Sequence, residues 1–189
     1  MGKPSREEDI LELFYNMPTK HWHFKDIKKE VNIADNKISR WLKLFEKEKL
    51  LKRIKEKRKM PYYISCYENP EYQNRKKLFA LKMFHDSGFL NHLCSLKGTK
   101  AVIIFGSFSR WDWHKESDID LFILGSDEDF EQGKYERILK REIHLFNYKN
   151  YEELRKISGG LLENIIKSLA IHGDIKYLEV NLREKNVKS

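Results

Sequence analysis

From Gly106 to Leu121 the chain reads Gly-Ser-Phe-Ser-Arg-Trp-Asp-Trp-His-Lys-Glu-Ser-Asp-Ile-Asp-Leu. A Gly-Ser turn follows an apolar run, and Asp118 and Asp120 open a second one. Residues 101–105 (Ala-Val-Ile-Ile-Phe) read as a buried strand ending at Gly106. Ile119, Leu121 and Ile123 alternate with Asp118, Asp120 and Phe122, which is the period of another strand. Side chains two apart on a strand share a face, so both carboxylates point the same way, ~6 to 7 Å apart. Such a pair can share one or two Mg²⁺ ions, and those ions clamp the phosphates of a nucleoside triphosphate. An exposed strand end would also tolerate two aspartates, and a Gly-Ser pair alone is an ordinary turn. Their co-occurrence within one strand-helix-strand unit is what points to chemistry.

Gly106-Ser107, Arg110 and Ser117-Asp118-Ile119-Asp120-Leu121 together resemble the signature of the DNA polymerase beta-like nucleotidyltransferases, and most closely their minimal bacterial and archaeal branch. The resemblance covers roughly residues 80 to 175. It implies that Gly106 and Ser107 bind triphosphate with Ser117 and Arg110 beside it, and that Asp118 and Asp120 carry metal. It also implies a third carboxylate on a neighbouring strand, which completes the metal site and assists deprotonation of the acceptor. Residues 141–146 (Arg-Glu-Ile-His-Leu-Phe) fit that strand, with Glu142 in the acidic position and Ile143 and Leu145 on the apolar face opposite Glu142, His144 and Phe146. The cofactor implied is Mg²⁺, with Mn²⁺ as the alternative, and the substrate is ATP or another nucleoside triphosphate.

Two positions depart from the family pattern. Ser109 stands where a small residue is usual and Trp111 where a glycine is, so the loop carrying Trp111, Trp113 and His114 is bulky. The tryptophans either stack on a base or acceptor or simply pack. Arg110 has two readings as well: contact with phosphate, or a surface pair with Asp112 or Glu116.

The reaction asks little covalent help of a protein, because nucleotidyl transfer depends on positioning and charge neutralisation. Asp118 and Asp120 would hold the metal, and Glu142 would serve the acceptor side or take its proton. The Ser107 hydroxyl and the amides of the turn would hold phosphate. Related proteins often work with a partner, including systems in which a minimal nucleotidyltransferase modifies and silences a HEPN-type toxin. A protein hydroxyl is then one acceptor; an RNA end or a small molecule is another.

The elements that must carry this site belong to a chain of 189 residues, 40% hydrophobic and 35% charged. That composition fits one or two soluble globular domains, and no apolar run reaches the ~18 residues of a membrane span. Without a signal-peptide core at the N-terminus, and with two cysteines, Cys66 and Cys94, in no metal motif, a cytoplasmic location is expected. His21 and His23 lack further ligands nearby and read as surface residues. The net charge of +8 is uneven: residues 1–68 carry 17 Lys and Arg against 11 Asp and Glu, and the remainder 20 against 18. The basic excess suggests a polyanionic partner for the N-terminal third.

That third has its own pattern. Ser5 and Glu8 fit a capping box opening a helix to about Asn16, residues 24–31 a second helix, and residues 35–49 a third with Ile38, Trp41, Leu42 and Phe45 inward. Residues 51–56 and 62–66 read as strands joined by a basic tip, Lys57-Arg58-Lys59-Met60-Pro61. Over residues 5–67 this resembles the winged helix-turn-helix domains of bacterial and archaeal regulators. In such a domain the third helix enters the major groove and the hairpin meets phosphate. Asn36, Lys37, Ser39 and Arg40, with Lys43 one turn on, are then the DNA-facing residues, and Lys57, Arg58 and Lys59 the backbone contacts; Asn36 and Arg40 suit base reading. The alternative is a protein-docking module with solvated lysines.

After Asn69-Pro70, residues 71–96 read as a helical connector that Gly88 can break in two. Residues 151–158 and 161–170 read as helices covering the back of the sheet; Gly173 ends the last of them, and the Lys-rich tail from Arg183 frays. The expected class is α+β: a winged helix-turn-helix (1–68), a connector (69–98) and a small mixed-sheet nucleotidyltransferase domain with flanking helices (99–189), with a homodimer as one possible assembly. Two functions follow. One is an enzyme moving AMP from ATP to a hydroxyl, with the N-terminal domain targeting or regulating it. The other is a DNA-binding transcriptional regulator whose nucleotidyltransferase-like domain senses nucleotide or dimerises.

Overall fold

The computed structural model describes residues 6–174 together with Lys176 and Leu178. The expected Ser5 cap and the tail from Arg183 lie outside the described residues. The chain divides into two compact units, one of Met1–Phe79 with Trp113–Glu116, the other of Ala80–Asp112 with Ser117–Ser189. None of the described helices is long and apolar enough to cross a membrane.

In the first unit, α1 (Arg6–Asn16) places Glu7, Glu8 and Asp9 in its first turn, where the helix dipole favours negative charge, and buries Ile10, Leu11, Phe14 and Tyr15 on one stripe. After β1 (Trp22–His23) and α2 (Phe24–Glu30), α3 (Asp35–Lys47) turns Ile38, Leu42 and Phe45 inward at the spacing the sequence gives; Trp41 is only half-buried. β2 (Leu51–Ile54) and β3 (Tyr62–Ser65) form an antiparallel hairpin, registered from Leu51↔Ser65 to Ile54↔Tyr62, with β1 on the far edge of β3. α4 (Pro70–Asp86) starts in this unit, where the Tyr72 hydroxyl donates to the Phe14 carbonyl at 2.9 Å and Arg75 pairs with Glu48 at 3.1 Å.

Trp113 also belongs to this unit and is fully buried. Its ring stacks on Phe79 at 6.2 Å and meets Tyr15 edge-on at 6.3 Å. The buried Lys76 ammonium lies 4.6 Å above the ring and donates to the Trp113 carbonyl, so its charge has both a π face and an acceptor. For Trp113, packing is the outcome of the two sequence readings.

The second unit continues α4 from Ala80 and adds α5 (Phe89–Ser95), β4 (Thr99–Phe105), α6 (Ser107–Arg110), β5 (Ile119–Gly125), α7 (Gln132–Leu139), β6 (Ile143–Tyr148), α8 (Tyr151–Leu154), α9 (Gly159–Ile166) and β7 (Leu169–Gly173). Gly88, in the left-handed region at φ 75°, separates α4 from α5 as expected. The sheet order is β6-β5-β4-β7, with β5 and β6 parallel and the other pairs antiparallel. Ala101, Ile103, Phe105, Phe122 and Leu124 form one face and pack under Leu154, Leu162 and Ile165 of α8 and α9. This is a small mixed sheet within an α+β chain.

Several expectations change. The helix expected over 151–158 stops at Leu154, and Ile157 is buried beyond its end. The helix expected over 161–170 ends at Ile166, and Leu169 and Ala170 instead belong to β7. Gly173 does not end a helix; it pairs with Ala101 at φ 89°, where an added Cβ would fall 1.9 Å from the Lys100 carbonyl oxygen. The cause is tertiary: β4 is buried from Ala101 through Ile104, and its backbone groups need a partner on both edges. Glu142 sits immediately before β6 and not inside it, although its carbonyl accepts from the Ile119 amide at 2.9 Å.

Candidate active site

The ladder brings one end of the sheet together. Phe105, the last residue of β4, faces Asp120 on β5, and Asp120 faces His144 on β6. β4 then turns at Gly106 (φ 68°, ψ −144°) into α6. A Cβ on Gly106 would lie 1.9 Å from Asp120 Oδ2, so only a glycine lets this carboxylate lie against the turn. The turn is held from behind by Ser109, whose hydroxyl lies 3.0 Å from the Gly106 carbonyl oxygen and 3.1 Å from the Ser168 hydroxyl after α9. Phe108, the inward residue of α6, is buried against Phe84 at 5.3 Å and under the Arg141 guanidinium at 5.1 Å. That guanidinium also donates to the Ser117 carbonyl at 2.9 Å and fixes the chain where it enters β5.

Asp118, Asp120, Glu142 and His144 share this end of the sheet. His144 Nε2 is 3.6 Å from Asp118 Oδ2 and 3.6 Å from Glu142 Oε1, and Nδ1 is 3.7 Å from Asp120 Oδ1. One ligand atom each from Asp118, Glu142 and His144 lies within 4.8 Å of the others, the single such convergence of His, Cys, Asp and Glu among the described residues. Burial raises the Asp120 carboxyl above its ordinary range and the charge of Asp118 adds to this, while His144 and Arg110 pull it back. The converging atoms of Asp118, Glu142 and His144 could hold a divalent cation; Asp120 is not among them and lies half-buried beside Asp118, against a glycine that leaves it room.

The other expected residues fall as follows. Ser107 opens α6, and Arg110, on its last turn, pairs with Asp112 at 3.3 Å with both side chains exposed. Asn36, Lys37, Arg40 and Lys43 are exposed on α3, whereas Ser39, expected to be exposed, is half-buried. Lys57, Arg58 and Lys59 form the exposed tip between β2 and β3; Arg58 has φ 63°, and Lys59 pairs with Glu56 at 2.5 Å. These basic residues lie in the first unit and the acidic cluster in the second. His21 stacks on Tyr62 at 4.2 Å and a ring nitrogen of His23 lies 3.0 Å from the Pro61 carbonyl oxygen, so their contacts are structural. His144 is the member of the cluster that sequence reasoning did not single out. Its signal was present, because it shares the strand face of Glu142.

The nucleotidyltransferase domain model matches residues 87–185, just over half of the chain. The chain belongs to the nucleotidyltransferase domain family. The match spans the Gly106 turn, the aspartates and β6, so the acidic cluster is part of the nucleotidyltransferase domain, and the domain supports transferase chemistry. A comparison with curated protein sequences finds no match. Among solved structures, a toxin-antitoxin complex with AMP-PNP is similar at 20% identity and TM-score 0.36, over 61% of this chain and 86% of that one. A mutant of the toxin-antitoxin pair MntA-HpeT is similar at 17% identity and TM-score 0.35, over 59% and 84%.

Proposed function

We propose that the protein is a metal-dependent nucleotidyltransferase that moves a nucleoside monophosphate, AMP from ATP in the first instance, onto a hydroxyl. The observation that carries this reading is the seating of Asp120 against Gly106, beside Asp118, in a nucleotidyltransferase domain. Asp118 and Asp120 would hold Mg²⁺ or Mn²⁺, with Glu142 on the acceptor side. An ion held there would supply charge neutralisation for the triphosphate and polarisation of its phosphoryl oxygens. The amides of the turn and the Ser107 hydroxyl orient the phosphates, with Ser117 at the entry to β5 and Arg110 within electrostatic reach of Asp120. The acceptor oxygen forms a bond to the α-phosphorus, the bond from that phosphorus to pyrophosphate breaks, and the hydroxyl proton passes to Glu142. A hydroxyl of a HEPN-type partner protein is one acceptor that the family resemblance suggests, and an RNA end or a small molecule is another.

The first unit is proposed to be a winged helix that binds nucleic acid. Its support is the order of three helices and a β1-β3-β2 sheet, together with the exposed Asn36, Lys37, Arg40 and Lys43 on α3 and the Lys57-Arg58-Lys59 tip. The same features support the second reading, a DNA-binding regulator. The two separate by mutation. An enzyme loses pyrophosphate release in Asp118→Asn and Asp120→Asn while its DNA affinity stays unchanged. A wild type with tight site-specific DNA binding and no pyrophosphate release with any nucleotide would be the regulator.

A further inference from the structure

Four groups crowd one end of the sheet, and three of them are carboxylates of the same charge. The fourth is the His144 imidazole, which stands among them with Nε2 near Asp118 and Glu142 and Nδ1 near Asp120. Separations of 3.6 and 3.7 Å are too long for hydrogen bonds, so the imidazole does not close the cluster by itself. They are close to the spacing of ligands around one ion, since donors about 2.0 to 2.2 Å from a metal stand roughly 3 to 3.5 Å from each other.

The two faces of the ring differ. Nε2 faces Asp118 and Glu142, the two residues with which His144 converges, and Nδ1 faces Asp120. A ring that ligates through one nitrogen while the other donates toward a carboxylate is the usual arrangement of a metal-bound histidine, because the carboxylate fixes the tautomer and raises ligand basicity. Magnesium is a hard ion served by oxygen, whereas imidazole nitrogen favours first-row transition ions.

We propose that His144 Nε2 is a ligand, with Asp118 and Glu142, of the acceptor-side divalent cation, and that this nitrogen makes the position select Mn²⁺ over Mg²⁺. Asp120 Oδ1 faces Nδ1 at 3.7 Å and would close on it once the ion draws the ring in, while its other oxygen, the one against Gly106, would serve the nucleotide side. The inference rests on the metal-binding reading of Asp118 and Asp120 given above, and deepens it by assigning the ion.

The test is Mn²⁺ binding to the full-length, tag-free protein without nucleotide, followed by electron paramagnetic resonance with detection of nitrogen-14 modulation. Wild type is expected to bind Mn²⁺ about tenfold more tightly than Mg²⁺ in competition, and its bound Mn²⁺ to show imidazole nitrogen coupling. His144→Ala and His144→Gln should lose that coupling and bind Mn²⁺ about tenfold more weakly, while Mg²⁺ affinity changes less. The His144 side chain is 46% exposed, so thermal melting of both variants should stay close to wild type. Bound Mn²⁺ without nitrogen coupling, coupling that survives in both variants, an unchanged Mn²⁺ to Mg²⁺ ratio, or no Mn²⁺ binding at millimolar concentration would each overturn the proposal. Nitrogen coupling without nucleotidyl transfer would sink the proposed function and leave this assignment standing; transfer without coupling would do the reverse.

Discussion

Gly106→Ala is the substitution whose consequence the geometry fixes most closely. The new methyl would sit 1.9 Å from Asp120 Oδ2 and 2.9 Å from its Cγ. Non-bonded atoms at this range repel steeply, so the carboxylate must retreat by about 1 to 1.5 Å to restore ordinary contact. A misplacement of ~1 Å in a catalytic arrangement costs on the order of 10²-fold in rate. The backbone adds its own penalty: φ 68° with ψ −144° is a region that suits glycine, and holding alanine there costs about 1 to 3 kcal/mol. Gly106→Ala should therefore lower pyrophosphate release ~10²-fold, weaken metal binding and destabilise the fold by that amount. Gly133→Ala is the matched control. Gly133 lies in α7 where a Cβ meets nothing within 4 Å, so that change should leave activity alone and add about 0.5 to 1 kcal/mol of stability. The assays are thermal melting, metal titration and turnover on both variants. A Gly106→Ala protein with wild-type metal affinity and turnover would refute the claim that the turn seats Asp120.

Further outcomes follow from other contacts. The Asp120 carboxyl is raised by burial, so its ionised form opposes folding above its unfolded value near 3.8; this opposition is present at neutral pH and fades as pH falls through the raised value. In chelator, with no metal bound, Asp120→Asn should then melt at a higher temperature than wild type at pH 7 and lose that advantage near pH 4, and an advantage that grows on acidification would contradict the sign. Trp113→Ala removes a fully buried ring that packs on both Phe79 and Tyr15 and should cost about 3 to 5 kcal/mol, read by denaturant unfolding of the full chain. Ser109→Ala removes a hydroxyl that lies between the Gly106 carbonyl and Ser168 and should cost about 1 kcal/mol in the same assay. For the first unit, Arg40→Ala should lose ~1 to 3 kcal/mol of binding at a specific DNA site, whereas Lys57→Ala should weaken all sequences alike and reduce the salt slope by about one. Equal DNA affinity for wild type and Arg40→Ala at every salt concentration would count against that orientation.

The elements legible in the sequence are those whose pattern is local. Ile10, Leu11 and Phe14 announce α1, and the alternation from Asp118 onward announces β5, because periodicity and burial agree there. Asp118 and Asp120 share a face for the same reason, and Gly106 is recognisable as a turn. What the sequence hides is set by partners far along the chain. Leu169 and Ile171 become strand because the edge of β4 must be paired, and nothing within residues 161 to 173 says so. His144 shares the strand face of Glu142, which the sequence shows, but the parallel register of β5 and β6 that sets it opposite Asp120 is not encoded locally. Trp113 sits seven residues after Gly106 yet packs in the first unit, a destination that no local pattern encodes.

Whether Asp118 and Asp120 serve nucleotidyl transfer is decided by following the nucleotide itself. The purified protein is incubated with each α-labelled nucleoside triphosphate and Mg²⁺ or Mn²⁺ in extract from its native host, beside Asp118→Asn. Label is expected on a discrete protein or RNA band, with ATP as the strongest donor, and none with the mutant. Absence of label with every nucleotide and both metals, or equal label with Asp118→Asn, would contradict it.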